Sequence, residues 1–128
     1  PRFFQEEIKS DHLLSDTNKA KIDNIDWQQV ALQRRKLWKE WKALADVNDL
    51  ESVFPELHAE SSPLAFPVYA QDIKHRNQWL RWGSRHGVPT FSWPALPDTV
   101  IKKKGSALKR WERMLCFPLD GVSAKRFI

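Results

Sequence analysis

Glycine and cysteine are scarce in this 128-residue chain, and each shortage removes a class of chemistry. The four glycines, Gly83, Gly87, Gly105 and Gly121, are too dispersed for a Gly-rich loop that cradles phosphate. A single cysteine, Cys116, excludes an internal disulfide and any Cys-x-x-Cys metal motif. It lies in the apolar run Met114-Leu115-Cys116-Phe117, the setting of a buried structural thiol rather than a reactive thiolate, and a lone thiol fits a reducing cytoplasm. No apolar run approaches the ~20 residues of a membrane span, and no signal-peptide pattern is present, so a soluble, cytoplasmic chain without membrane contact is expected. The four histidines, His12, His58, His75 and His86, show no His-x-x-x-His or Glu-x-x-His spacing. His75 and His86 stand about three helical turns apart, on one face but too far to chelate together, and read as exposed helix residues. No metal site is expected.

Tryptophan, in contrast, is abundant: there are seven, in a chain that is 41% hydrophobic and 29% charged with a formal net charge of +5. This composition suits one globular domain over residues 1–128. Trp38, Trp41 and Trp111 stand beside Lys or Arg, which would suit base stacking on nucleic acid, whereas the same residues at helical spacing read as core or interface anchors. The charge by itself does not choose between polyanion binding and solubility.

Residues 1–14 have no clear period and read as an irregular lead-in. Ser15 can cap a short helix over 16–24, and Asp26, with Gln29 three residues on, reads as a second N-cap. From Trp27 the apolar positions Val30, Ala31, Trp38, Trp41 and Ala45 recur at spacings of three, four and seven, one stripe on a long helix ending near Leu44 or Ala45. Arg34 falls inside this stripe, where a paired or stem-buried guanidinium is expected. Arg35, Lys36, Lys39 and Lys42 form a charge run that could bind phosphates or be the solvated side of the helix. Residues 50–54 could form a short strand, and 56–62 a polar loop.

Residues 64–70, LAFPVYA, read as a strand whose Pro67 cannot donate to a ladder, so it either lies at an edge or turns its missing N–H away from a neighbour. Asp72 caps a helix that ends at Arg85-His86-Gly87, a basic last turn followed by a left-handed stop. Ile73, Arg76, Leu80 and Ser84 share one face of it and Trp79 and Trp82 lie well round, so either side could be buried. Residues 88–93 then read as a second strand, interrupted by Pro94 and Pro97. The run Lys102-Lys103-Lys104 reads as part of a mobile surface loop over 101–105. A short helix over 106–113 leads into a strand over 114–119, and Ser123 looks like the N-cap of a helix that the chain leaves one turn long, as in a domain truncated at its C-terminus. Ser106-x-x-Lys109 matches the spacing of serine acylation and Schiff-base motifs, but it has no companion motif and is read as chance.

Five ordered pieces carry a resemblance over roughly residues 14–123. They are Gln33-Arg34-Arg35 on the long helix, Phe66-Pro67-Val68, the helix from Asp72 with its Gly87-Val88 end, the loop Trp93-Pro94-Ala95-Leu96-Pro97, and the late strand Leu115-Cys116-Phe117-Pro118-Leu119. In this order they resemble the small C-terminal domain of the DegT/DnrJ/EryC1/StrS family, fold type I aminotransferases that use pyridoxal phosphate, largely on nucleotide-linked keto sugars. The resemblance implies an α/β domain of the α+β type, a small, mainly antiparallel sheet covered by helices, over residues 15–128. It also implies that the Schiff-base lysine, the acid pairing the pyridine nitrogen and the phosphate cup belong to a large domain upstream. On that reading this chain has no catalytic or cofactor-binding residue, its partner is the large domain of the same protein, and it contributes subunit contacts, as in a homodimer. The loop residues Ser92 and Trp93 would face substrate, with Trp93 offering a flat surface to a sugar ring or acting as a packed loop anchor. Many members carry His-Tyr where this chain has Ser92-Trp93. The alternative reading is a stand-alone basic, Trp-rich module for nucleic acid or another polyanion, although nucleic acid is not the partner the resemblance implies.

Overall fold

A computed structural model describes residues 15–92 and 96–128. The lead-in expected over 1–14 lies outside the described residues, as does Trp93. Helix α1 (Asp16–Asp23) starts where Ser15 Oγ accepts the Asn18 N–H at 3.2 Å. Helix α2 (Trp27–Asp46) starts where Asp26 Oδ1 accepts the Gln29 N–H at 3.1 Å. Each cap satisfies one of the amides that a helix start leaves without an intrahelical acceptor. Strand β1 (Glu51–Ser52) follows, then β2 (Ala65–Tyr69) and helix α3 (Ile73–His86). Helices α4 (Asp98–Lys103) and α5 (Ser106–Arg113), strand β3 (Met114–Pro118) and a 3₁₀ turn (Ala124–Phe127) complete the order. The result is a small α+β fold with a three-stranded antiparallel sheet in the order β1-β2-β3.

Alternation along β2 and β3 sorts the core. The register pairs Phe66 with Phe117 and Val68 with Leu115, so these four side chains share one face of the sheet, and all four are fully buried. Helix α2 lays Trp41 on Phe117 with ring centroids 4.6 Å apart and nearly parallel planes, and sets Trp38 edge-on to Phe66 at 5.2 Å. From α3, Trp79 meets Phe117 edge-on at 5.9 Å. Both helices therefore cover the same face. Burial at the ~25 cal/mol per Å² typical of apolar surface makes this aromatic layer the main support of the fold. It includes one compromise: the indole N–H of Trp41 finds no acceptor among the described residues.

Pro67 lies in the central strand, not at an edge. The Ala70 N–H donates to the Arg113 carbonyl, so by ladder alternation the even positions of β2 bond toward β3 and the odd ones toward β1. Pro67 thus turns its missing donor to β1, where its carbonyl still accepts the Val53 N–H at 3.1 Å. The ladder to β3 is spared and β1 is cut to two residues.

The end of α3 follows expectation. Asp72 Oδ1 accepts the His75 N–H at 2.7 Å, and Gly87 adopts a left-handed φ of 70° while its N–H returns to the Gly83 carbonyl. The buried face of α3 falls between the two alternatives, centred on Arg76, Trp79, Leu80 and Gly83, with Ile73 left 45% exposed.

Four other expectations are corrected. The strand expected over 88–93 does not form over its described part, 88–92, where Phe91 makes a single bridge to Cys116, each N–H bonding the other's carbonyl, beside Pro89, which has no donor to extend the ladder. The lysine run is not a loop but the C-terminal end of α4, where Asp98 and Lys102-Lys103 suit the two poles of the helix dipole and Lys104 closes it at φ 48°. The capped C-terminal segment is a 3₁₀ turn, with Ser123 Oγ accepting the Lys125 N–H. Arg35, expected in the solvated run, instead donates from Nη1 to the carbonyls of Ala59 (2.9 Å) and Ser61 (3.3 Å) and ties the 56–62 loop to α2.

Candidate functional site

The loop singled out by sequence leaves the sheet at the bridge between Phe91 and Cys116, on the free side of β3. Ser92 follows directly and is half-buried; Trp93 is outside the described residues. The loop's far end returns at Leu96, which lines a groove of about 230 Å³ with Tyr69, Met114, Ala107, Arg110 and Trp111. Tyr69 and Met114 are register partners on the sheet face opposite the aromatic layer. Ala107 and Trp111 stand one turn apart on α5, which runs straight into β3.

Cations frame this groove. The Arg113 guanidinium lies 5.5 Å from the Tyr69 ring centroid and donates from Nε to the Ala70 carbonyl at 2.7 Å. Arg76, 8% exposed, lies 5.4 Å over the Trp111 ring and shares its donors between Asn77 Oδ1 and the Trp111 carbonyl. Arg110 folds back along α5 to the Ser106 carbonyl and hydroxyl at 3.3 and 3.4 Å. An aromatic floor with a guanidinium at its wall can stack a flat or CH-rich ring and neutralise an anion attached to it. Sequence reasoning missed Tyr69, Trp111 and Arg110 as a group, because two elements far apart in the chain, β2 and α5, bring them together. The signal for it was the strand register, which sets Tyr69 opposite Met114 just beyond the end of α5.

Other singled-out residues take structural roles. Cys116 is fully buried, and loss of hydration raises its thiol from 9.0 to about 11. Ser106 and Lys109 are exposed, and the neighbour of the Ser106 hydroxyl is Arg110 rather than Lys109. His75 is half-buried rather than free: the Gln71 N–H points at Nδ1 (3.0 Å) and the Trp79 Nε1–H at Nε2 (3.2 Å). A neutral imidazole accepts at one nitrogen only, so its tautomer selects between the two. His86 is exposed and stacks on Trp82 with centroids 4.9 Å apart. Among the described residues no group of three His, Cys, Asp or Glu is placed to hold a metal ion, and no helix is long and apolar enough to cross a membrane.

Two further features were not visible in the sequence. Glu40, on the long helix, is buried and accepts a hydrogen bond from the Ser123 hydroxyl at 2.6 Å, with Lys125 Nζ at 3.9 Å, which anchors the C-terminal turn to α2. The stripe of α2 also outruns the core: Leu37, Trp38, Trp41, Leu44 and Ala45 are buried, while Trp27 on the same line is 59% exposed and Val30, Ala31 and Arg34 are half-exposed. The chain matches no protein-family model and no curated protein.

Proposed function

We propose that this chain is the small C-terminal domain of an aminotransferase-like protein that uses pyridoxal phosphate, a domain inert alone that forms part of the substrate-site wall and of the subunit contacts. The parent's substrate class on this reading is a nucleotide-linked sugar. The observation that carries the proposal is the Tyr69–Trp111 groove, which Leu96 at the far end of the loop also lines, with Arg110 at its wall. On this reading Ser92 and Trp93 of the loop face substrate, Tyr69 and Trp111 offer an apolar surface to a sugar ring, and Arg110 meets a phosphate. The order of elements supports it too, since the Phe-Pro-Val strand and the Leu-Cys-Phe-Pro strand lie side by side in register.

On this reading the cofactor and the lysine that holds it belong to the large domain and not to the described residues. Their lysines are exposed, apart from Lys42, which is half-buried and paired with Asp46 at 3.0 Å. Formation of a Schiff base, the chemistry the cofactor supplies, falls on the same reading to the parent's large domain, and this chain's part is to bind and orient. The test is an NMR titration of the isolated chain with a nucleoside diphosphate sugar. Shifts confined to Tyr69, Ser92, Trp111 and Arg110, lost in Arg110→Ala, support the reading. Shifts elsewhere or none, or a borohydride-reducible adduct of this chain with pyridoxal phosphate, overturn it.

The second reading, a basic module for polyanions, is favoured by the exposed Lys102, Lys103 and Lys104 at the end of α4. It loses two of its stacking candidates, since Trp38 and Trp41 are 4% and 0% exposed. Salt-dependent retention on a polyanion column, abolished by removing the three lysine charges, would favour it.

A further inference from the structure

An amphipathic stripe that continues past its own core lacks a partner, and the charges along α2 indicate which partner it fits. Trp27, Val30, Ala31 and Arg34 continue the line of Trp38, Trp41 and Ala45 onto the N-terminal half of α2, where none of these four is buried, and Ile22 and Ile25, just before the helix in the chain, are each 39% exposed. Arg34 is the telling residue. Its position within an apolar stripe calls for a carboxylate, yet no ion pair or hydrogen bond joins it among the described residues. At the start of the same stripe Asp26 commits Oδ1 to the Gln29 cap and makes no ion pair among the described residues, which leaves Oδ2 without a partner among them. The free half of α2 is therefore acidic at one end, apolar in the middle and basic at the other.

A surface with that polarity is complementary to itself when reversed. We propose that the N-terminal half of α2 is a two-fold interface between two copies of this chain, packed antiparallel about Val30 and Ala31. Eight residues of helix separate Asp26 from Arg34, about 12 Å, so a crossing centred between them sets Arg34 of each copy against Asp26 and Trp27 of the other. The guanidinium gains a carboxylate and an indole face at once, and the two apolar centres exclude water from both ion pairs. The inference stands on the geometry of α2 alone and does not require the aminotransferase reading, so each can fail without the other. A contact of about two to three turns is small by the standards of stable interfaces, and it gives a weak, concentration-dependent dimer.

Sedimentation equilibrium of the whole chain across a wide concentration range, at low and high salt, tests this. The expected result is reversible dimerisation that weakens with salt and falls at least ~10-fold in Arg34→Glu, where like charges meet. Asp26→Asn keeps the N-cap, because Asn caps as well as Asp, but removes the charge, and it should weaken the dimer while circular dichroism stays unchanged. A chain that is monomeric at every concentration, or a dimer indifferent to both variants, overturns the proposal. So does a longer parent protein that is monomeric and shields Trp27 with a preceding domain.

Discussion

Replacing Gly83 with alanine sets helix propensity directly against packing. Gly83 lies inside α3, where glycine is worth about 1 kcal/mol less than alanine, so an unpacked site would gain that amount on substitution. Here the added Cβ would stand 2.4 Å from Thr90 Oγ1, 2.6 Å from the Val88 carbonyl oxygen and 2.9 Å from Thr90 Cγ2. Two of these atoms belong to one side chain that can turn away, but the Val88 oxygen is backbone. Val88 is itself 1% exposed, and its N–H bonds the Gly83 carbonyl at 2.8 Å, so the helix end and the 88–90 turn cannot separate without losing that bond and opening the core. Overpacking of this kind costs about 1–3 kcal/mol, and the rigid carbonyl argues for the upper half of that range. Against the propensity gain, Gly83→Ala should destabilise by about 1–2 kcal/mol, measured by urea unfolding, with a fall in midpoint temperature of about 4 °C per kcal/mol. Thr90→Ala removes two of the three clashing atoms, so the double variant should recover part of the loss, a coupling readable in a double-mutant cycle. Equal or greater stability of Gly83→Ala would refute the reasoning, because it would mean that the helix and the turn are not in contact.

Three further perturbations have defined outcomes. Ser123→Ala deprives buried Glu40 of its 2.6 Å hydrogen bond and should cost about 1.5–3 kcal/mol, with faster proteolysis at the C-terminal turn than in the parent chain; an unchanged cleavage rate would show that Glu40 does not hold it. Cys116, raised from 9.0 to about 11, ionises first in the unfolded chain. Its contribution to stability is therefore complete below pH 9 and lost as pH rises from 9 toward 11, and a stability profile over that range should lose this component in Cys116→Ala. The same thiol should react with a maleimide at neutral pH only as fast as the chain opens. Arg35→Ala frees the 56–62 loop, so amide exchange should accelerate at Ser61, whose N–H bonds the His58 carbonyl, and not in the β2–β3 ladder.

Much of the local structure was legible in the sequence because it is encoded by neighbours. Ser15, Asp26 and Asp72 each cap the helix they announce, and Gly87 stops α3, since a cap needs only a side chain and an amide three residues on. The apolar stripe of α2 was equally plain. What the sequence could not supply was how far that stripe would find a sheet to cover, which depends on where β2 and β3 end, and so Trp27 was read with the core and stands outside it. The strand expected over 88–93 is absent from its described part, 88–92, for a related reason: alternation allows a strand, but pairing needs a partner with free ladder groups, and among the described residues one bridge to Cys116 is all the edge of β3 accepts beside Pro89.

The candidate site divides along the same line. From sequence alone came the loop and the residue types in it, Ser92 and Trp93, because aromatic-Pro punctuation is local. The tertiary structure decided that Tyr69, Trp111 and Arg110 share a groove with Leu96, since a strand, a loop and a helix far apart in the chain meet there only through the register of β2 with β3. It also decided that Glu40 is an anchor and that Arg34 finds no carboxylate among the described residues, for a charge shows its partner, or its want of one, only when distant parts of the chain have been brought together.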